Sequence, residues 1–117
     1  MTTHPSPTLF LVPRPRVGDL PWEVFPGGVG VEYKVLYDAA GTAAGLLRMR
    51  PGGHEVSHVH LHGEHHLWVL AGSVTVDDTV LPVDSYLHVP AHLQHALRDS
   101  GEGSLLFYVF TPEAATD

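Results

Sequence analysis

Cysteine is absent from this 117-residue chain. That removes disulfides, thiolate metal sites and cysteine nucleophiles together. Positive charge is scarce as well: six Lys and Arg face thirteen Asp and Glu, for a formal net charge of −7. So few cations cannot build the basic face that a nucleic acid needs, and an anionic membrane surface is disfavoured for the same reason. Lys34 is the only lysine, too little for a phosphate-binding or Schiff-base site. No apolar run approaches the roughly 18 residues of a membrane-spanning helix. Residues Met1 to Pro7 carry neither a charged n-region nor an apolar h-region, so no signal peptide is expected and a cytoplasmic location is the default. Gly-rich phosphate loops, nucleophile elbows and capped helical periods are missing too.

What the chain does have is 44% hydrophobic residues, enough for one domain with a modest core that a second copy would help to stabilise. A homodimer is therefore expected. Residues 1–30 are rich in Pro and Gly and read as an irregular arm, in which Thr8–Val12 is the one strand candidate. Residues 31–111 read as short strands with turn punctuation, and 112–117 as a tail. The strands are expected at Val31–Tyr37, Thr42–Arg50 (stopped by Pro51-Gly52-Gly53), Glu55–His60, His65–Ala71, Ser73–Val76, Thr79–Leu81, Asp84–Val89, Gln94–Arg98 and Leu105–Thr111. Many short strands at this spacing predict a small all-β barrel or sandwich.

Five of the ten histidines lie between His58 and His66. Neutral imidazole is the commonest protein ligand for transition metals. In a strand, residues i and i+2 share a face, so His58 and His60 project together. A turn over Leu61–Glu64 returns the chain so that His65 starts the next strand beside His60. His95 lies with Leu97 on a later strand. Glu64 is the rival to His65 if the turn register slips by one. His66 falls on the other strand face, with Trp68 and Leu70, and His62 lies in the turn. His88 and His92 are secondary candidates, His92 near a barrel rim, and His4 and His54 read as solvated.

These residues resemble the two motifs of the cupins. The first motif runs Gly, five residues, His-x-His, three or four residues, Glu, six residues, Gly. Gly52, His58, His60, His65 and Gly72 match that spacing, with His65 where the family usually has Glu. The second runs Gly, five residues, Pro-x-Gly, two residues, His, three residues, Asn. Asp84, Pro90, His92, His95 and Asp99 keep the spacing, with Asp, His and Asp in place of Gly, Gly and Asn. The resemblance implies a small cupin β-barrel, the double-stranded β-helix or jelly roll. It also implies one divalent transition metal per chain (Fe, Mn, Ni, Cu or Zn) held by His58, His60, His65 and His95. Four neutral imidazoles leave such an ion at +2, against +1 with a Glu ligand, and make it the stronger Lewis acid.

Two functions follow from the resemblance. One is an oxygen-dependent dioxygenase acting on a small carbonyl or apolar substrate, similar to diketone-cleaving cupins. No catalytic side chain is identified, and Glu64 and His92 are the only candidates for proton transfer. The other is a zinc-dependent sensor or small-molecule binding module. Trp22 through Val29, Lys34–Tyr37 and Ala44–Gly52 look like the cupin domains of zinc-dependent anti-sigma factors.

Overall fold

Alternating apolar and polar residues give each strand one face for the core and one for the outside. The computed structural model describes residues 7–56, 58–59 and 63–112. Among these residues, one short helix, α1 (Arg14–Asp19), precedes eleven strands: β1 (Glu23–Val24), β2 (Gly28–Ala39), β3 (Thr42–Glu55), β4 (His58–Val59), β5 (Gly63–Ala71), β6 (Val74–Val76), β7 (Thr79–Leu81), β8 (Tyr86–Val89), β9 (Gln94–His95), β10 (Leu97–Asp99) and β11 (Ser104–Pro112). Nine form one antiparallel sheet, with β7-β6-β10-β3-β11-β5-β8 along its path and β2 and β1 added beyond β3; β4 and β9 pair separately. This is the all-β, barrel-like sheet expected from the sequence.

Cross-strand register stacks the inward residues into rows. Tyr33, Leu47, Leu106 and Val69 make one row, and Gly45, Tyr108, Leu67 and Leu87 the next. With Val31, Met49, Val74, Val89 and Leu97, the buried members of these rows form the core. Burial of each such side chain contributes about 1.5–3 kcal/mol.

Two regions depart from expectation; in the first, residues 1–30, the chain forms α1 and β1 and enters β2 already at Gly28. Thr8–Val12 forms no strand, and the arm is held instead by its later residues. Lys34 Nζ donates to the Val17 carbonyl at 2.9 Å, and Trp22 lies under both Lys34 and Arg48, 4.7 and 4.1 Å from its ring centre. These contacts pin α1 and Trp22 over the outer side of β2 and β3.

The second change is at Pro51-Gly52-Gly53, where β3 continues instead of stopping. The sheet absorbs the proline by changing partners. β11 accompanies β3 as far as Met49, and β10 takes over at His54. Pro51 falls between the two ladders, where no N–H is required. Gly52 turns with φ +77°, a backbone that glycine adopts freely. Asp99 Oδ2 secures the corner, accepting the N–H groups of Gly52, Gly101 and Gly103 at 3.2, 3.0 and 3.1 Å. Burial pushes the Asp99 carboxyl up, but the hydrogen bonds from Gly103, Gly52 and Gly101 outweigh it and hold the group below its ordinary value.

Candidate functional site

The inner rows leave a cavity of about 370 Å³ at one end of the barrel, within the size range of small-ligand pockets. Its walls are apolar and aromatic, with Phe25, Leu47, Leu67 and Phe110 among them, while Glu55, His65 and His95 supply the charged and imidazole groups. Strand alternation explains which residues enter. Of the two possible sets on the last strand, Tyr108 and Phe110 face the cavity, and Phe107 and Val109 lie opposite Trp68 and His66 on the outer face. Phe110 reaches in because the inward position beside it is Gly63, where a Cβ would collide with its ring.

His65 and His95 come together here. Their ring centres are 6.5 Å apart and the rings are nearly perpendicular, at 81°. His95 is 6% exposed, and its Nδ1 lies 3.1 Å from the Leu93 carbonyl. A carbonyl only accepts, so Nδ1 carries the hydrogen; in the neutral ring this makes Nε2 the ligating nitrogen, the arrangement typical of a metal-bound histidine. His65 is steadied by edge contacts with Tyr108 and Phe110 at 6.2 and 5.0 Å. His58 sits in β4 directly across from His95 in β9. His60 and His62 lie outside the described residues. The donor set therefore fits an imidazole-bound transition metal: two imidazoles converge at the cavity, and a third histidine occupies the neighbouring register position.

His65 faces the cavity, while Glu64 points to the other side of β5, where its Oε1 is 3.5 Å from His88 Nε2. His92 is exposed, in the turn after β8. Neither candidate for proton transfer lines the cavity. The carboxylate that does is Glu55, 7% exposed, whose Oε1 accepts the Leu97 N–H at 3.1 Å. Reading β3 as ending at Pro51 hid this residue. Counted by twos from Met49 through the corner, Glu55 falls on the inner face, as its burial shows.

Two tyrosines also border the space. Burial, then the neighbouring Tyr33 and Asp38, raises the Tyr108 phenol. A hydrogen bond to Glu23, then its charge, raises Tyr33. Both therefore remain protonated donors well above neutral pH.

The altered second motif has a backbone explanation. Asp84 and His92, which replace the two glycines, take φ of +68° and +69°. The left-handed turns survive without glycine. Asp99, in the Asn position, is the acceptor that ties the corner.

The sequence matches the ChrR cupin-like domain family over residues 15–114. A search of curated proteins gives no significant match. Among solved structures, a candidate acetylacetone dioxygenase of Methylibium petroleiphilum PM1 superposes with TM-score 0.75 at 16% identity, over 94% of this chain and 81% of that one. The polyketide cyclase RemF of Streptomyces resistomycificus gives 0.74 at 21%, over 90% and 80%. Anti-sigma ChrR, in its complex with SigE of Rhodobacter sphaeroides, gives 0.67 at 21%, over 82% of this chain and 50% of that one. At such identities the likeness shows the shared fold, and this chain spans about half of the ChrR structure.

Proposed function

Because the chain belongs to the ChrR cupin-like domain family, we propose that it is a mononuclear metal-dependent enzyme, a dioxygenase-like cupin acting on a small carbonyl-bearing or apolar molecule. The observation that carries this reading is the apolar cavity of about 370 Å³ opening directly onto His65 and His95. A module that used its metal only for structure would have no need of that space. His58, His60, His65 and His95 are the proposed ligands. Held there, the ion would supply Lewis-acid and redox chemistry.

The remaining steps belong to the chain. Phe25, Leu67 and Phe110 surround the substrate and exclude water, which strengthens every polar contact inside. Tyr108 is a protonated donor suited to a carbonyl oxygen, while the single O–H of Tyr33 is already donated to Glu23. Glu55, held by the Leu97 amide, is the one cavity-lining carboxylate among the described residues and is placed to accept a proton. The likeness to a candidate acetylacetone dioxygenase points to diketones as the first substrates to try.

Elemental analysis of untagged wild type beside His60→Ala and His95→Ala is the test. About one Fe, Mn, Ni or Cu per chain, lost in both variants, with oxygen uptake on a diketone, supports the enzyme. A wild type without metal even after reconstitution sinks it. A second reading, a zinc-dependent sensor or binding module, is favoured by the family match itself; tight zinc that is lost in His95→Ala, with no oxygen uptake, selects it. A homodimer and a cytoplasmic location belong to the same proposal. Leu9, Phe10 and Leu11 of the arm, 86, 62 and 65% exposed, are apolar surface that a second copy would cover. A monomer on gel filtration at micromolar protein rejects the dimer.

A further inference from the structure

The outer face of the barrel carries a second convergence of ligand-type side chains, and the cavity reading does not use it. Glu64 and His66 are two residues apart on β5, so they project together, away from His65. The β5–β8 register sets His66 opposite His88. One donor atom from each of Glu64, His66 and His88 lies within 4.8 Å of the others. The His66 and His88 rings stack with centres 4.8 Å apart at 18°, and Glu64 Oε1 stands 3.5 Å from His88 Nε2.

We propose that Glu64, His66 and His88 form a second, solvent-facing site for an imidazole-preferring divalent cation such as Zn2+, separate from the cavity. Two imidazoles and one carboxylate are an established zinc donor set that leaves a fourth position open. Ligand bonds of about 2.0–2.2 Å put tetrahedral donors roughly 3.3 Å apart, close to the Glu64–His88 separation. The three donors, within 4.8 Å of one another, would draw in to that spacing by side-chain rotation. Tyr86 adds the support expected around a ligating histidine. Its hydroxyl is 2.5 Å from His66 Nδ1, which occupies that nitrogen and leaves Nε2 to the ion. Paired strands hold all four residues, so little backbone order has to be created on binding. His88 is exposed, giving the ion direct entry from solvent, and the chain's net charge of −7 favours a cation.

Equilibrium dialysis of untagged protein against Zn2+ tests this. The wild type should hold two ions per chain. His88→Ala and His66→Ala should each hold one, and His95→Ala should keep the ion that His88→Ala loses. Tyr86→Phe, which removes one exposed hydroxyl and leaves every ligand in place, should weaken that ion by about 10–100-fold. A stoichiometry unchanged in both His88→Ala and Glu64→Gln overturns the proposal. So does a single wild-type ion that disappears with His95→Ala and survives His88→Ala. A single ion lost with His88→Ala and kept in His95→Ala upholds the outer site and removes the cavity site instead.

Discussion

The two faces of β5 divide the molecule's chemistry. Gly63, His65, Leu67 and Val69 point inward to an apolar space; Glu64, His66, Trp68 and Leu70 point outward to water. Neighbouring histidines thus serve different environments. His65 stands between Tyr108 and Phe110 near a buried His95, whereas His66 stacks on an exposed His88 and bonds Tyr86. The difference teaches that a dense run of histidines is not one site. The pleat sorts it by parity, and the sorting depends on a turn that a one-residue slip would invert.

The largest test of that sorting is mechanical. Leu67→Ala empties the core and should cost about 2–5 kcal/mol in urea unfolding, while Trp68→Ala, at a residue 41% exposed, should cost less than about 1 kcal/mol. Equal costs would mean that the outer face is covered. The next effect is metal removal. At a hundredfold excess over its dissociation constant, a bound ion adds about 2.7 kcal/mol, so chelation should lower the melting midpoint of reconstituted protein. A lowering that persists in His95→Ala and vanishes in His88→Ala would assign that stabilisation to the outer face.

A smaller effect is acid-dependent. The Asp99 carboxyl stays ionised to lower pH in the folded chain than in the unfolded one. Its contribution is complete above the ordinary unfolded value of 3.8 and is lost as pH falls through the lower folded value. The stability gap between wild type and Asp99→Asn should therefore be constant near neutrality and close below about pH 4; a gap that widens there contradicts the hydrogen-bonding account. The smallest effect is backbone relief. Ala40→Gly removes a Cβ from a left-handed φ of +55° and should stabilise the fold by about 0.5 kcal/mol, the strain relieved less the added unfolded-state freedom.

Much of the barrel was legible because its strands alternate and its turns are punctuated. Thr42–Arg50, His65–Ala71 and Leu105–Thr111 lie where apolar residues recur by twos between Gly, Pro and Asp. His65 and His95 were legible from motif spacing. Glu55 was not, because a Pro-Gly-Gly corner reads locally as an end and becomes a continuation only when a new neighbour arrives at His54. The outer cluster was half legible: Glu64 and His66 share a face by parity, but His88 joins them through strand pairing that no local pattern encodes. The helix α1 escaped because its six residues give too short a period to recognise, and tertiary contacts to Lys34 and Trp22 hold that region.

Those contacts have a chemical consequence. Every amine-directed event on a side chain of this protein, whether acylation, cross-linking or enzymatic conjugation, has a single target, and that target is 6% exposed with its ammonium bonded to Val17. Lys34 can react only when α1 lifts. The labelling rate of one atom therefore clocks the opening of the arm, and a substitution that frees Trp22 should quicken it without altering the barrel beneath.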